Sequence, residues 1–248
     1  MARLFFLTPD ALQPDGQIVF SETDTRHLIS MRRQKGDIVP CIIERSEKRY
    51  KLEVMIDELK KAGNIGHIVS TEELPVTDKT GIHILQCIPK LDKMEYIIQK
   101  SAELGIESIT PLLSTNTVIK GGVGDHKQTR WQAISREASI QSGRLDIMKV
   151  ESPIQIGQAL SNFKNADSFG IFLNEYEKEK SLHDLANKIE RARTIYLLTG
   201  AEGGFTPEEA IHIQEIGFLS VTLGDRILRA ETAPVAASAI LSYMRGII

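Results

Sequence analysis

The chain has 248 residues, 42% of them hydrophobic and 25% charged, with a formal net charge of −3. That length and composition fit a globular protein of one large domain or of a small domain plus a medium one, and they exclude a disordered chain. They also exclude attraction of nucleic acid by overall charge, so an RNA or DNA partner requires a local basic patch.

The opening MARLFFLTPD holds a short apolar run, Leu4 to Leu7, too short for the core of a secretory signal. No later run approaches the ~20 residues of a membrane span. The expectation is a cytoplasmic protein without membrane association.

Residues 1–72 are β-rich. RLFFL, GQIVF, GDIVPCII, YKLEVMI and IGHIVS are short apolar stretches separated by Gly, Pro and Asp turn signals. One stretch, TDTRHLISMRRQKGD (23–37), is more helical. Strands at this spacing predict a small barrel. TEELPVTDKTG (71–81) is polar, contains Pro and Gly and lacks periodicity, which predicts a linker and a boundary near 72/73.

Beyond it the rhythm changes. IHILQCI (82–88) reads as a continuous apolar strand. DKMEYIIQKSAELG (92–105) reads as a helix with Asp92 as cap, Glu95 completing a capping box and Gly105 at its end. ESITPLL (107–113) is a strand, and 127–142 a helix ending at Gly143. FGIFL (169–173) is a strand, 181–191 a helix, and TIYLLT (194–199) a strand. Thr206-Pro207-Glu208-Glu209 is a second capping box with Pro in the first turn. It opens a helix that stops at Gly217. FLSVTLG (218–224) is the last strand and Thr232–Arg245 the last helix. Apolar strands alternating with helices predict an α/β unit at 73–248, with a parallel sheet covered on both faces.

Cys41 and Cys87 lie far apart in apolar settings and without metal-ligand spacing. They read as buried thiols. No pair among the six histidines has metal spacing either, so no metal is expected.

Ligands of open α/β sheets bind beyond the carboxyl ends of the strands. Three such ends carry informative residues. FLNEYE (172–177) follows one strand. LLTGAEGGFTPEE (197–209) places Gly200, Gly203 and Gly204 close together, where backbone can approach a ligand. It is neither G-x-G-x-x-G nor a P-loop, and Glu202 would repel a phosphate. A tight strand-to-helix turn without a ligand remains open on these grounds alone. LGDRILRAETAP (223–234) flanks Ile227 and Leu228 with Arg226 and Arg229 and adds Glu231. A solvated charge run is one reading. A pocket for a flat, partly apolar ligand with a polar rim is the other, and it explains the apolar pair between the cations.

TGAEGGFTPEE followed by LGDRILRAETAP resembles the signature of the ribosomal RNA small-subunit methyltransferase E family, within the SPOUT methyltransferases. The resemblance extends to KLDKMEYIIQKSAELGIESITPLLS (90–114) and REASIQSGR (136–144) and covers essentially the full chain. It implies a C-terminal trefoil knot, a PUA-like RNA-binding domain at 1–72 and a methyltransferase domain at 73–248. It further implies a homodimer, S-adenosylmethionine as methyl donor, and N3 of a uridine in the decoding region of 16S rRNA as acceptor. Two positions depart from the family's usual pattern: Ala201 stands where Pro is usual, and Ser114-Thr115-Asn116 where an arginine is common.

Carried over position by position, the resemblance puts the donor against Leu173, Asn174, Gly200, Glu202, Gly203, Leu223, Gly224, Ile227, Leu228 and Thr232. Backbone groups of Leu223, Ile227 and Leu228 would meet the adenine edge. Arg229 would stabilise negative charge on the uracil ring. Glu231 would orient Arg229 or serve as general base, and Arg226 would be a pocket, surface or dimer charge. Arg26, His27, Arg32, Arg33 and Lys35, with Arg144, would hold RNA phosphates. Three other readings stay open: a non-catalytic RNA-binding assembly factor, a SPOUT enzyme for another rRNA or tRNA base, and a nicotinamide-dependent oxidoreductase. The lack of a G-x-G-x-x-G after the strand at 82–88 counts against the last.

Overall fold

A computed structural model describes residues 4–46, 48–60, 64–75, 81–115, 123–161, 163 and 168–248. The chain divides into two compact units, Met1–Asp78 and Lys79–Ile248.

The first unit contains β1 (Phe5–Leu7), a 3-10 turn (Pro9–Ala11), β2 (Gln17–Phe20), α1 (Glu22–Ser30), β3 (Ile38–Arg45), β4 (Lys48–Glu58) and β5 (Asn64–Leu74). The strands order β1-β3-β4-β5-β2, with β1 parallel to β3 and the remaining pairs antiparallel. Alternate residues point to one core: Phe5 and Leu7, Ile18 and Phe20, Val39, Cys41 and Ile43, and Leu52, Val54 and Ile56. Ser21 caps α1 by accepting from the Asp24 amide at 3.1 Å. The helix stops at Ser30, short of the expected 23–37 span, because Arg32 adopts a left-handed conformation with φ of 56°.

The boundary also differs from expectation. Residues 71–74, read as linker, continue β5, with Glu73 opposite Tyr50 and Glu72 opposite Lys51. Their polarity reflects a solvated strand edge laced by a Lys48–Glu73 ion pair at 2.8 Å. The break therefore falls at 78/79 rather than 72/73. Residues 76–80 of the expected linker, and Asn116, lie outside the described residues.

The second unit runs β6 (Ile82–Cys87), α2 (Lys93–Glu103), β7 (Ser108–Leu113), α3 (Asp125–Gln141), β8 (Lys149–Val150), β9 (Ile154–Gln155), α4 (Ile156–Ser161) and β10 (Ser168–Leu173). A 3-10 turn (His183–Leu185) and α5 (Ala186–Arg191) follow, then β11 (Thr194–Thr199), α6 (Pro207–Glu215), β12 (Leu219–Val221) and α7 (Thr232–Met244). The sheet orders β12-β10-β11-β6-β7-β8 and every pairing is parallel. Successive strand residues enter opposite cores. Ile82, Ile84, Ile171, Ile195 and Leu197 pack with α2, α3, α5 and α7, while Leu85, Cys87, Phe172 and Leu198 pack with α4 and α6. Burial on both faces explains why these strands are mostly apolar.

The two predicted capping boxes separate. Thr206 Oγ1 accepts from the Glu209 amide at 3.2 Å, and Glu209 accepts from the Thr206 amide at 2.9 Å. Replacing Thr206 by Ala should lower stability by about 1 kcal/mol, read as a lower denaturant midpoint at unchanged m. Asp92 precedes α2 without a side-chain cap bond. Its expected partner Glu95 instead grips Arg130 on α3 at 2.6 Å. No described helix is long and apolar enough to cross a membrane.

Candidate functional site

Three neighbouring parallel strands end together. β10 lies between β11 and β12, and the segments leaving their carboxyl ends enclose a cavity of about 440 Å³. Leu173, Asn174 and Glu175 come from the end of β10, Thr199 to Glu202 with Gly204 and Phe205 from the end of β11, and Val221 to Leu228 from the end of β12. Ala233 and Pro234 of α7 close one side.

Each wall has a local cause. Asn174 ties β10 to β12: its amide donates to the Val221 carbonyl at 3.1 Å, and its Nδ2 donates to Ser220 Oγ at 3.1 Å. The turn after β11 folds back on itself. The Gly204 amide donates to the Ala201 carbonyl at 3.0 Å, and a Cβ on Gly200 would lie 3.0 Å from the Gly204 Cα. Gly204 has φ of 59°, and a Cβ there would meet Glu175 Oε1 at 3.2 Å. The left-handed backbone at Gly204 favours glycine, and a side chain at Gly200 would crowd the backbone of the same turn. Beyond β12, Gly224 takes φ of 110°, and its amide donates to Thr222 Oγ1 at 3.1 Å.

Below the floor lies a buried polar network. Gln86 and Thr199 face each other across the β6–β11 pairing and are 0% and 1% exposed. Thr199 Oγ1 donates to Gln86 Oε1 at 2.6 Å. Gln86 Nε2 donates to the carbonyls of Gly200, at 3.1 Å, and Cys87, at 2.8 Å.

Lys93, the first residue of α2, bridges two acidic groups from separate loops, at 2.9 Å from Glu202 and 3.2 Å from Glu231. Glu202 also accepts from the Lys90 amide at 3.1 and 3.2 Å. Burial pushes the Glu202 carboxyl up, but Lys93 and nearby backbone amides outweigh it, so its pKa lies below the ordinary value. The Glu231 carboxyl is likewise lowered: burial raises it, while its own amide and then Lys93 pull it down. The Lys93 ammonium is raised by both carboxylates.

The rim holds four carboxylates, Glu175, Glu177, Glu202 and Asp225, against two cations, Lys178 and Arg226. The walls are apolar at Leu173, Phe205, Val221, Leu223 and Leu228. Ile227 exposes 81% of its surface at the mouth. Such a space accepts a flat, partly apolar ligand bearing net positive charge.

Of the residues expected from the sequence, Leu173, Asn174, Gly200, Glu202, Leu223, Gly224, Arg226, Ile227 and Leu228 line this cavity. Gly203 stands in the adjoining turn and Thr232 is the first residue of α7; neither is in its lining. Arg229 is exposed beside it, and its carbonyl accepts from the Thr232 and Ala233 amides at 2.8 and 3.0 Å to open α7. The expectation that Glu231 orients Arg229 is corrected: its ion pair is with Lys93, and Arg229 acts on it only through a weaker field.

Arg144 is corrected as an RNA contact. Its side chain is 12% exposed. It forks onto Asp146 at 2.8 and 3.2 Å and donates to the carbonyls of Ala102 and Ile106 at 3.1 and 2.7 Å. Arg26, Arg32 and Lys35 are exposed and His27 is partly buried. Arg33, also partly buried, lies 3.9 Å from Asp37. All five belong to α1 and the turn that follows it.

Lys93, Gln86 and Thr199 escaped sequence reading. A lysine opening the helix after β6 was the available signal for the first, because ligand sites gather at that edge. A polar pair ending two apolar strands was the signal for the others.

Residues 77–242 match the RNA methyltransferase domain family. The chain is 36% identical over 245 residues to a ribosomal RNA small subunit methyltransferase E of Buchnera aphidicola subsp. Acyrthosiphon pisum, covering 93% of this chain and 89% of that one. It is 27% identical over 256 residues to a protein of the same description in Bacillus subtilis, covering 100% and 98%. Its fold is similar to the crystal structure of the ribosomal RNA small subunit methyltransferase E from Neisseria gonorrhoeae bound to S-adenosyl methionine. That likeness has a TM-score of 0.82 and 28% identity, with 98% of each chain covered.

Proposed function

The chain belongs to the ribosomal RNA small-subunit methyltransferase E family, and on that premise we propose that it methylates N3 of a uridine in the decoding region of 16S rRNA from S-adenosylmethionine. The carrying observation is the cavity at the ends of β10, β11 and β12, with apolar walls and an acid-rich rim. The donor has a flat adenine, and its sulfonium and ammonium outweigh one carboxylate, so its shape and charge fit that lining. Leu223, Ile227 and Leu228 would receive the adenine, and Gly200 and Gly204 let backbone approach it closely. When bound, the donor supplies a methyl on a positively charged sulfur that needs no further activation.

The protein's own share is orientation and charge stabilisation. The nucleophile is the uridine N3 after loss of its proton. Arg229 faces solvent beside the cavity and carries a planar fork of donors. It stabilises the anionic uracil ring. Glu231 favours its ionised form, because its own amide and Lys93 outweigh the effect of burial, and a carboxylate held ionised is a weak proton acceptor. Its role is to hold Lys93, and through Lys93 the Glu202 turn.

In this reading the second unit carries a C-terminal trefoil knot and the first is a PUA-like RNA-binding barrel. RNA phosphates are held by Arg26, Arg32, Arg33 and Lys35. The enzyme is a cytoplasmic homodimer. Apolar surface left exposed at Ile240 and Tyr243 of α7, and at Ile247 and Ile248 after it, supports pairing with a second copy.

Mass mapping of uridines in small-subunit rRNA tests the reading. Cells lacking the gene should lose one N3-methyluridine in the decoding region, and purified protein with S-adenosylmethionine should restore it. An unchanged methylation map, or a mark lost from tRNA instead, would redirect the assignment.

A further inference from the structure

We infer that Gln86, which touches neither the proposed donor nor its methyl, is a positioning residue that sets the floor of the donor cavity by holding the Gly200 carbonyl and the Thr199 hydroxyl. The inference rests on the donor reading given above.

The network admits only one arrangement of the amide. Nε2 has two protons, and two carbonyl oxygens lie within reach, Gly200 at 3.1 Å and Cys87 at 2.8 Å. Oε1 faces the Thr199 hydroxyl at 2.6 Å, which must donate to it. Reversing the amide would set oxygen against two carbonyls. Gln86 is 0% exposed and Thr199 1%, so no bulk water replaces a partner lost by either side chain, and each of these side-chain groups, if orphaned, would carry its desolvation penalty. The amide thus reads both strand ends at once: its own strand through Cys87, and the neighbouring one through Thr199 and Gly200.

Gly200 and Thr199 both line the cavity. The turn that starts at Gly200 is closed by the Gly204 amide on the Ala201 carbonyl. Its far side is held by Glu202, through the Lys90 amide and Lys93. Gln86 is the anchor on the strand side. An apolar residue of similar volume would fill the same space and keep the sheet packed, but it would leave the Gly200 carbonyl free to rotate. A structural filler and a positioning group therefore predict different results.

Two variants decide between them. Gln86→Glu keeps the shape but presents carboxyl oxygens to two carbonyls. Donor affinity by calorimetry should fall about tenfold at pH 8 and recover as pH falls, because the protonated acid can again donate one bond. The unaltered protein should lack that trend. Gln86→Met with Thr199→Val removes the polar pair together. It should unfold near the normal temperature yet bind donor about tenfold more weakly, with faster hydrogen exchange at the Gly204 amide. Normal donor affinity and unchanged exchange in the double variant would overturn the inference. If the unaltered protein itself gives no heat with S-adenosylmethionine, the donor reading fails instead, and the exchange rate at Gly204 still decides whether Gln86 holds the turn.

Discussion

Arg229→Ala should lower methyl transfer about 10²–10³-fold while leaving donor affinity within about twofold, the usual loss when one preorganised charge-stabilising donor is removed. The separation of the two effects follows from the geometry. The Arg229 side chain is outside the cavity lining, so the donor loses no wall. The structural duty of the residue lies in its carbonyl, which receives the Thr232 and Ala233 amides, and alanine supplies the same carbonyl. The loss should therefore appear in kcat and kcat/KM together, the signature of an interaction made in the transition state. Arg229→Lys should recover only part of the rate, because an ammonium lacks the planar fork of donors. Single-turnover assays with saturating donor and small-subunit rRNA measure this. Turnover within fivefold of normal would remove Arg229 from the chemistry and leave it as a surface charge.

The contrast with Glu231 is informative. Sequence spacing placed a carboxylate two residues from Arg229 and invited a local pairing. The folded chain pairs it with Lys93 instead, from a helix more than a hundred positions away in the chain. What was legible in the sequence was local or periodic. The Thr206–Glu209 box was readable because both partners lie within one turn and both bonds form there. β10 and β11 were readable because burial on both faces makes their central residues, Phe169 to Leu173 and Ile195 to Leu198, a mostly apolar run. β8 and β9 have two residues each, too few for any period to register. Glu95 lost its capping role to Arg130 because a tertiary ion pair competed with a local bond. The glycine turn was visible as composition, but its anchors, Gln86 and Lys93, arrive from other elements. Nothing in the turn's own residues announces them.

Arg144→Ala should destabilise the second unit by about 3 kcal/mol, since it leaves a largely buried carboxylate without its partner. For a unit of this size the unfolding midpoint should drop by roughly 6–12 °C. The family resemblance put this cation among the RNA contacts. In the fold its side chain is only 12% exposed. One nitrogen serves the carbonyls of Ala102, in the last turn of α2, and Ile106, in the connection after it, and the others fork onto Asp146. Carbonyls near a helix C-terminus carry partial negative charge, so a cation placed there suits the local dipole. Lysine cannot reproduce this, because one ammonium cannot span a fork and two carbonyls together; Arg144→Lys should fall between the two proteins. Adding Asp146→Ala to Arg144→Ala should return part of the loss, because it removes the orphaned charge along with its cost. Differential scanning calorimetry reads all four proteins. An unchanged midpoint in Arg144→Ala, accompanied by weaker RNA binding at unchanged fold, would restore Arg144 to the RNA surface and undo the buried-fork account.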